Sequence, residues 1–447
     1  MKALTKHLCF ILIIASLGCT STPTRNYYPV NFNKIAKKVI AADTTQSYAL
    51  YVPTGYSKNN KYPLILLFDS HADGTLAVEK FKEAAEALGY ILAGSNNAGN
   101  GVANTDQIAQ NLLMDVVSKF PIDEKRIYTA GFSGGARIAI SFALNSGKIK
   151  GIIACSAGPS ANDPLSTAPK IDLYGVAGFE DFNYKEIAHL PENLSATGWR
   201  TNIDLFDGGH AWPPAASTRK AVLWLELNAV KDKLIPKDKA LVEATKDSMI
   251  SEINIALQSK QFLKAERMAK SAISFLETLT STNTFEERLA EIQKMPGYAS
   301  EKEKQATLLS QEEKLMQAYM ESFIKNDTSW WKNEVNLLHE EINKSNDLLY
   351  TQMLKRIQGF MGIIAYSYIS NAVKSNDLVI AEKLIPIYRI IEPKNPDCYF
   401  FYAILLDKKG KTKEAAASLQ KSIELGFTEK PKVRTSFSKA VLDAVKM

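Results

Sequence analysis

From about residue 48, apolar positions alternate between short unbroken runs and stripes at helical spacing. Residues 48–53 (YALYVP) and 64–68 (LILLF) are continuous apolar runs closed by turn residues, the pattern of buried strands. Residues 76–88 repeat apolar side chains at helical spacing and stop at Gly89, a C-cap signal. A strand at 90–94 (YILAG) and an amphipathic helix at 106–120 (DQIAQNLLMDVVSKF) come next. Pro121 then opens a turn over 122–125, before a strand at 126–130 (RIYTA) and a helix at 136–144. Further strands are predicted at 151–154 (GIIA), 171–176 (IDLYGV) and 203–206 (IDLF). Strands alternating with helices in this way predict an α/β fold with a mostly parallel, two-sided sheet.

After Trp224 glycine becomes sparse, Lys, Glu, Ala, Leu and Ser dominate, and nearly every segment has a helical period. The charged stretch 233–239, with Pro236, reads as a linker between a domain at 30–232 and an all-helical one at 240–447. Residues 396–429 carry Tyr399, Ala403, Leu406, Gly410, Ala415 and Leu419, and 34 positions earlier stand Ala365, Ile369, Ala372, Asn376, Ala381 and Ile385. The two units, 362–395 and 396–429, resemble tetratricopeptide repeats, whose small residues sit where paired helices cross. Residues 249–272 carry a looser version. Residues 277–355 read as long polar helices, with Trp330 and Trp331 on a turn between two of them. Such an array offers a surface for a protein partner, or serves only as a structural cap.

Residues 1–19 have Lys2 and Lys6 ahead of an apolar run too short to span a bilayer, which marks a signal peptide. Its end, Ser16-Leu17-Gly18-Cys19, resembles the lipobox of bacterial lipoproteins, which implies lipidation at Cys19 and a polar tether over 20–28. The expected location is the bacterial cell envelope, as a periplasm-facing or outer-membrane lipoprotein, with plain secretion as the alternative. A length of 447 residues favours two or three domains. The net charge of +6 is modest and scattered, which argues against nucleic acid as a partner. With Cys9 and Cys19 in the leader, Cys155 and Cys398 remain, far apart, and the five histidines show no HExxH spacing. Neither a disulfide framework nor a metal centre is indicated, and no cofactor is implied.

The chemistry concentrates at Gly131-Phe132-Ser133-Gly134-Gly135, a G-x-S-x-G sequence between a strand and a helix. There Ser133 would occupy a sharp turn that flanking glycines make possible, next to the free N–H groups of a helix N-terminus. The bare pattern is weak, and its strand–helix context carries the argument. An acid on the loop after 171–176, Asp181 or its neighbour Glu180, and His210 on a glycine-lined loop after 203–206 complete the order serine, acid, histidine. The oxyanion donors expected are backbone N–H groups of Gly134 and of Ser70 or His71. Cys155 reads as a small buried hydrophobe.

The stretches YVPTGY (51–56), YPLILLFDSHADG (62–74), FPIDEKRIYTAGFSGGARIA (120–139) and GGHAWP (208–213) resemble the α/β-hydrolase family. Within it they are nearest the feruloyl esterase, acetyl-xylan esterase and polyhydroxyalkanoate-depolymerase-like group. The resemblance covers about 200 residues and implies Ser133, Asp181 and His210 as a catalytic triad, with small or carbohydrate-linked esters as substrates. One departure stands out: Asp69-Ser70 occupies the place where relatives usually have His-Gly. Asp69, Asn96, Asn97, Phe132, Phe182 and Trp212 are further candidates for substrate contact, as is Asn100, although the asparagines equally suit turns and the aromatics packing. A serine peptidase of the same fold, or an envelope adaptor whose hydrolase domain only binds, are the alternatives. If Cys19 is the lipidation site, cells fed tritiated palmitate label the wild-type protein and not Cys19→Ala. Absence of label from both would remove the anchor.

Overall fold

A computed structural model describes residues 32–445 apart from 166, 428 and 429. Cys19, the leader and the tether lie outside the described residues. One sheet is built from β1 (Ala36–Ile40), β2 (Ser47–Tyr51), β3 (Tyr62–Phe68), β4 (Ile91–Ser95), β5 (Ile122–Phe132), β6 (Gly151–Cys155), β7 (Asp172–Gly178) and β8 (Thr201–Phe206). Its order is β1-β2-β4-β3-β5-β6-β7-β8. The pairs β1–β2 and β2–β4 are antiparallel and the rest parallel, the α/β-hydrolase arrangement.

The continuous apolar run of β3 is buried at every position because both faces of the sheet are covered. Ile65 and Leu67 enter a core with α1 (Gly74–Leu88), while Leu64, Leu66 and Phe68 enter a second core with α2 (Thr105–Lys119) and α3 (Gly134–Ser146). Helix α1 starts where the Asp73 carboxylate accepts the Leu76 N–H and ends at Gly89 with φ 75°. Two short helices, α4 (Tyr184–Ala188) and α5 (Leu190–Asn193), follow β7, and α6 (Ala215–Lys231) returns to the first core through Trp224 and Leu225.

The expected turn at 122–125 belongs to β5, where the ladder with β3 shifts register between Tyr62 and Leu64. The turn signal was real, since Asp123 accepts the Lys125 N–H at 3.1 Å, but it bends a strand without ending it. Strand β1 carried no sequence signal, because of its residues only Val39 is fully buried.

The remainder is all-helical: α7 (Lys239–Gln258), α8 (Phe262–Leu276), α9 (Asn283–Lys294), α10 (Pro296–Lys325), α11 (Thr328–Lys344), α12 (Leu348–Lys374), α13 (Leu378–Ile391), α14 (Pro396–Lys408), α15 (Thr412–Glu424), α16 (Lys430–Ser436) and α17 (Lys439–Ala444). Among the described residues no helix is long and apolar enough to cross a membrane. Trp330 and Trp331 lie in the first turn of α11, not between helices, because Asp327 caps the helix just ahead of them. Helix pairs α12–α13 and α14–α15 pack together, and positions 34 apart, Ala381 with Ala415 and Ile385 with Leu419, are buried alike.

Helices α7 to α9 do not have a core of their own. Val242, Ile253, Phe275 and Phe285 join the cluster that contains Tyr174 and Trp224 on the sheet side. Farther along, Arg356 of α12 makes two bonds to Glu312 of α10, at 2.8 and 2.6 Å, and donates to the Phe179 carbonyl at 2.8 Å. Both charged side chains are more than nine-tenths buried. Glu312→Ala leaves that guanidinium buried without its counter-ion, so the unfolding free energy falls by about 3–5 kcal/mol. A lowered urea midpoint is the expected reading, and an unchanged one would show that the pair does not hold the helices to the sheet.

Candidate active site

Strand β5 runs into Ser133, and α3 begins at the next residue, so the serine sits at the strand–helix junction. Its backbone is at φ 54°, ψ −120°, a conformation unfavourable for any residue with a Cβ. Three constraints hold it. The Ser133 N–H donates to the Cys155 carbonyl at 2.8 Å. A Cβ on Gly131 would overlap the Gly135 carbonyl, and one on Gly135 would overlap that of Phe68. These glycines let helix, strand and loop backbones touch, and any larger residue would push the turn open.

The next two components come from the ends of β7 and β8. Gly178 lies against the Gly208 carbonyl with no room for a Cβ, and the Glu180 N–H donates to that carbonyl at 2.9 Å. The two loops are thereby locked together. His210 Nδ1 lies 2.9 Å from Asp181 Oδ1, and His210 Nε2 lies 3.0 Å from Ser133 Oγ. Asp181 is fully buried, accepts the Asn183 N–H at 2.8 Å, and has its second oxygen without a hydrogen-bond partner among the described residues. Glu180, the rival acid, instead forms an ion pair with Lys355 at 2.7 Å. Phe182 stacks on the His210 ring at 4.2 Å, and Phe132 lies on it at 4.8 Å.

The loop after β3 accounts for the Asp69-Ser70 departure. Asp69 is buried, and its carboxylate accepts the Trp212 indole N–H at 2.8 Å and the His71 backbone N–H at 2.7 Å. The residue thus ties the β3 loop to the segment that carries His210. The His71 N–H is committed to Asp69, while the N–H groups of Ser70 and Gly134 have no partner among the described residues. The His71 side chain is exposed and 3.2 Å from Ser70 Oγ.

Four of the candidates for substrate contact make structural bonds. Asp69 and Trp212 satisfy each other out of reach of the cavity. Asn96 donates to the Lys37 carbonyl, and Asn97 accepts the Ser47 N–H, so both pin β4 to the β1–β2 hairpin. Asn100, Phe132 and Phe182 do face the cavity. Cys155 is buried, and burial pushes its thiol far above the usual range. Among the described residues, no group of three or more His, Cys, Asp or Glu side chains is arranged to hold a metal.

The cavity over Ser133 and His210 measures about 630 Å³, and its far wall comes from the helical region. Lys355, Gln358, Gly359 and Gly362 of α12 line it, with Tyr388 of α13 and Glu392 and Asn395 beyond. Sequence reasoning missed all of these. The available signal was the pair Gly359 and Gly362 inside a long helix, in a region otherwise poor in glycine. A Cβ on Gly359 would stand 3.2 Å from the Phe182 ring, and one on Gly362 would overlap the Glu392 carboxyl.

No protein-family model matches the chain, and no curated protein matches it. Among solved structures, its N-terminal part is similar to a ferulic acid esterase at 15% identity and TM-score 0.35, covering 44% of this chain and 98% of that one. It is also similar to an S-formylglutathione hydrolase from Staphylococcus aureus (18% identity, TM-score 0.37, 44% and 98% covered). A third is the Pyrococcus horikoshii acylaminoacyl peptidase (13%, 0.31, 43% and 40%). The α/β-hydrolase fold class rests on the strand order and sheet direction described above.

Because Phe182 is held between Gly359 and His210, a side chain at 359 pushes the ring toward the imidazole. Gly359→Val is expected to slow labelling of Ser133 by a fluorophosphonate about ten- to a hundred-fold, with the melting temperature near wild type. Equal labelling rates would mean that the helix does not position the histidine.

Proposed function

We propose that the protein is a serine hydrolase that cleaves carboxylic esters, small or carbohydrate-linked, through an acyl-enzyme, with Ser133, His210 and Asp181 as the triad. The observation that carries this reading is the unbroken chain of contacts from Ser133 Oγ through His210 to the buried Asp181. With the imidazole proton on Nδ1 and donated to Asp181, Nε2 is the base that accepts the Ser133 proton as Oγ attacks the ester carbonyl. The oxygen that becomes negative is bound by the free N–H groups of Ser70 and Gly134. His210 then protonates the departing alkoxide. In the second half water replaces the alcohol, loses its proton to Nε2 and attacks the acyl-enzyme, and Ser133 regains its hydrogen as the acid leaves. Asp181, with one oxygen unpaired, stabilises the imidazolium formed in both halves.

The anchor and the repeats belong to the same proposal. Lipidation at Cys19 would hold the enzyme at the bacterial cell envelope, with 30–232 as its hydrolase domain and 240–447 as a tetratricopeptide-like region able to carry a protein partner. The 34-residue equivalence of buried positions supports the repeat reading.

Ser133→Ala is expected to abolish hydrolysis of p-nitrophenyl acetate, and Asp181→Asn to lower kcat by about 10,000-fold. Faster cleavage of short peptides than of esters would move the enzyme to the peptidase class. Turnover that survives Ser133→Ala, or wild type that neither turns over nor accepts a fluorophosphonate, would overturn the proposal.

A further inference from the structure

The helical wall of the cavity has a chemistry of its own. Asn395 Nδ2 donates to Tyr388 Oη at 2.9 Å and to Glu392 Oε2 at 2.6 Å, so phenol, amide and carboxyl form one fixed cluster. Gly362 leaves the Glu392 carboxyl room to lie against the helix backbone. Gln358 Nε2 is 3.0 Å from His339 Nε2, which fixes a second amide on the same wall. These groups are held in place before any ligand arrives, and a preorganised site loses less entropy on binding.

Their composition narrows what fits. An acyl chain laid along this wall would strip water from amide, phenol and carboxyl groups and return no hydrogen bonds. An anionic ligand also finds little to meet, since Lys355 is already paired with Glu180 and the carboxyls of Glu392 and Asp397 lie on the same cavity lining. A group with several hydroxyls, each able to donate and accept, matches a wall of mixed donors and acceptors. The volume of about 630 Å³ lies within the ~300–1,000 Å³ typical of small-molecule sites.

Building on the triad reading above, we propose that Gln358, Tyr388, Glu392 and Asn395 bind a polyhydroxylated group, the sugar-like alcohol side of the ester, opposite Ser133. The helical region then supplies the leaving-group subsite, and the sheet supplies the chemistry.

The test compares kcat/KM for 6-O-acetylglucose with that for p-nitrophenyl acetate in the full-length enzyme, Gln358→Ala and Asn395→Ala. Asn395 also caps α14, so Gln358→Ala serves as the variant with no capping role. The ratio of sugar ester to aryl ester is expected to fall about ten-fold in each variant, mainly through KM, as loss of a hydrogen bond predicts. An unchanged ratio in both variants would overturn the subsite. So would wild type that cleaves the aryl ester but not the sugar ester. Wild type without Ser133-dependent turnover of the aryl ester would instead refute the triad reading, and the inference with it.

Discussion

The site depends on one unfavourable backbone conformation, that of Ser133. Holding a serine at positive φ costs on the order of 1–3 kcal/mol, which the surrounding packing must offset. Cys155 supplies the carbonyl that receives the Ser133 N–H, and Gly131 and Gly135 allow β5, α3 and the loop after β3 into backbone contact. The same compression leaves the Gly134 N–H free. In the proposed mechanism strain, nucleophile exposure and anion binding therefore have a single geometric origin.

A second dependence links the helical region to the proposed triad. The segment from Phe179 to Phe182 carries Asp181, and α12 contacts it three times, through Arg356, Lys355 and Gly359. The apolar core on one side of the sheet continues into α7 to α9. The helices thus brace the acid loop from outside while sharing the core beneath it. The division of the sequence by composition near residue 233 does not coincide with a division of the hydrophobic packing.

Much of the sheet was legible because each parallel strand is an apolar run between turn signals, and the nucleophile turn because its glycines are bunched. Ser133, Asp181 and His210 could be picked out since each follows a strand in a known chain order. The exposed edge strand β1 left no pattern, with one fully buried side chain among its residues. The structural tie of Asp69 was hidden for a different reason: its partner, Trp212, lies 143 positions away and is invisible to local reading. The cavity wall on α12 and α13 was hidden in the same way, since Gln358 and Asn395 look like ordinary helix and loop residues until the fold brings them opposite Ser133. Only the two helix-interior glycines, each costing about 1 kcal/mol relative to alanine, hinted at a close approach.

The order in which the cavity is made has a bearing on synthesis. Ser133, Asp181 and His210 have all left the ribosome long before Asn395, which closes the opposite wall. At ~5–20 residues per second, roughly ten to forty seconds separate the two events. During that interval a nascent chain carries Ser133 without its opposite wall, and for most of it the segment with Asp181 lacks its brace. The cavity is therefore closed only once the helical region has been made.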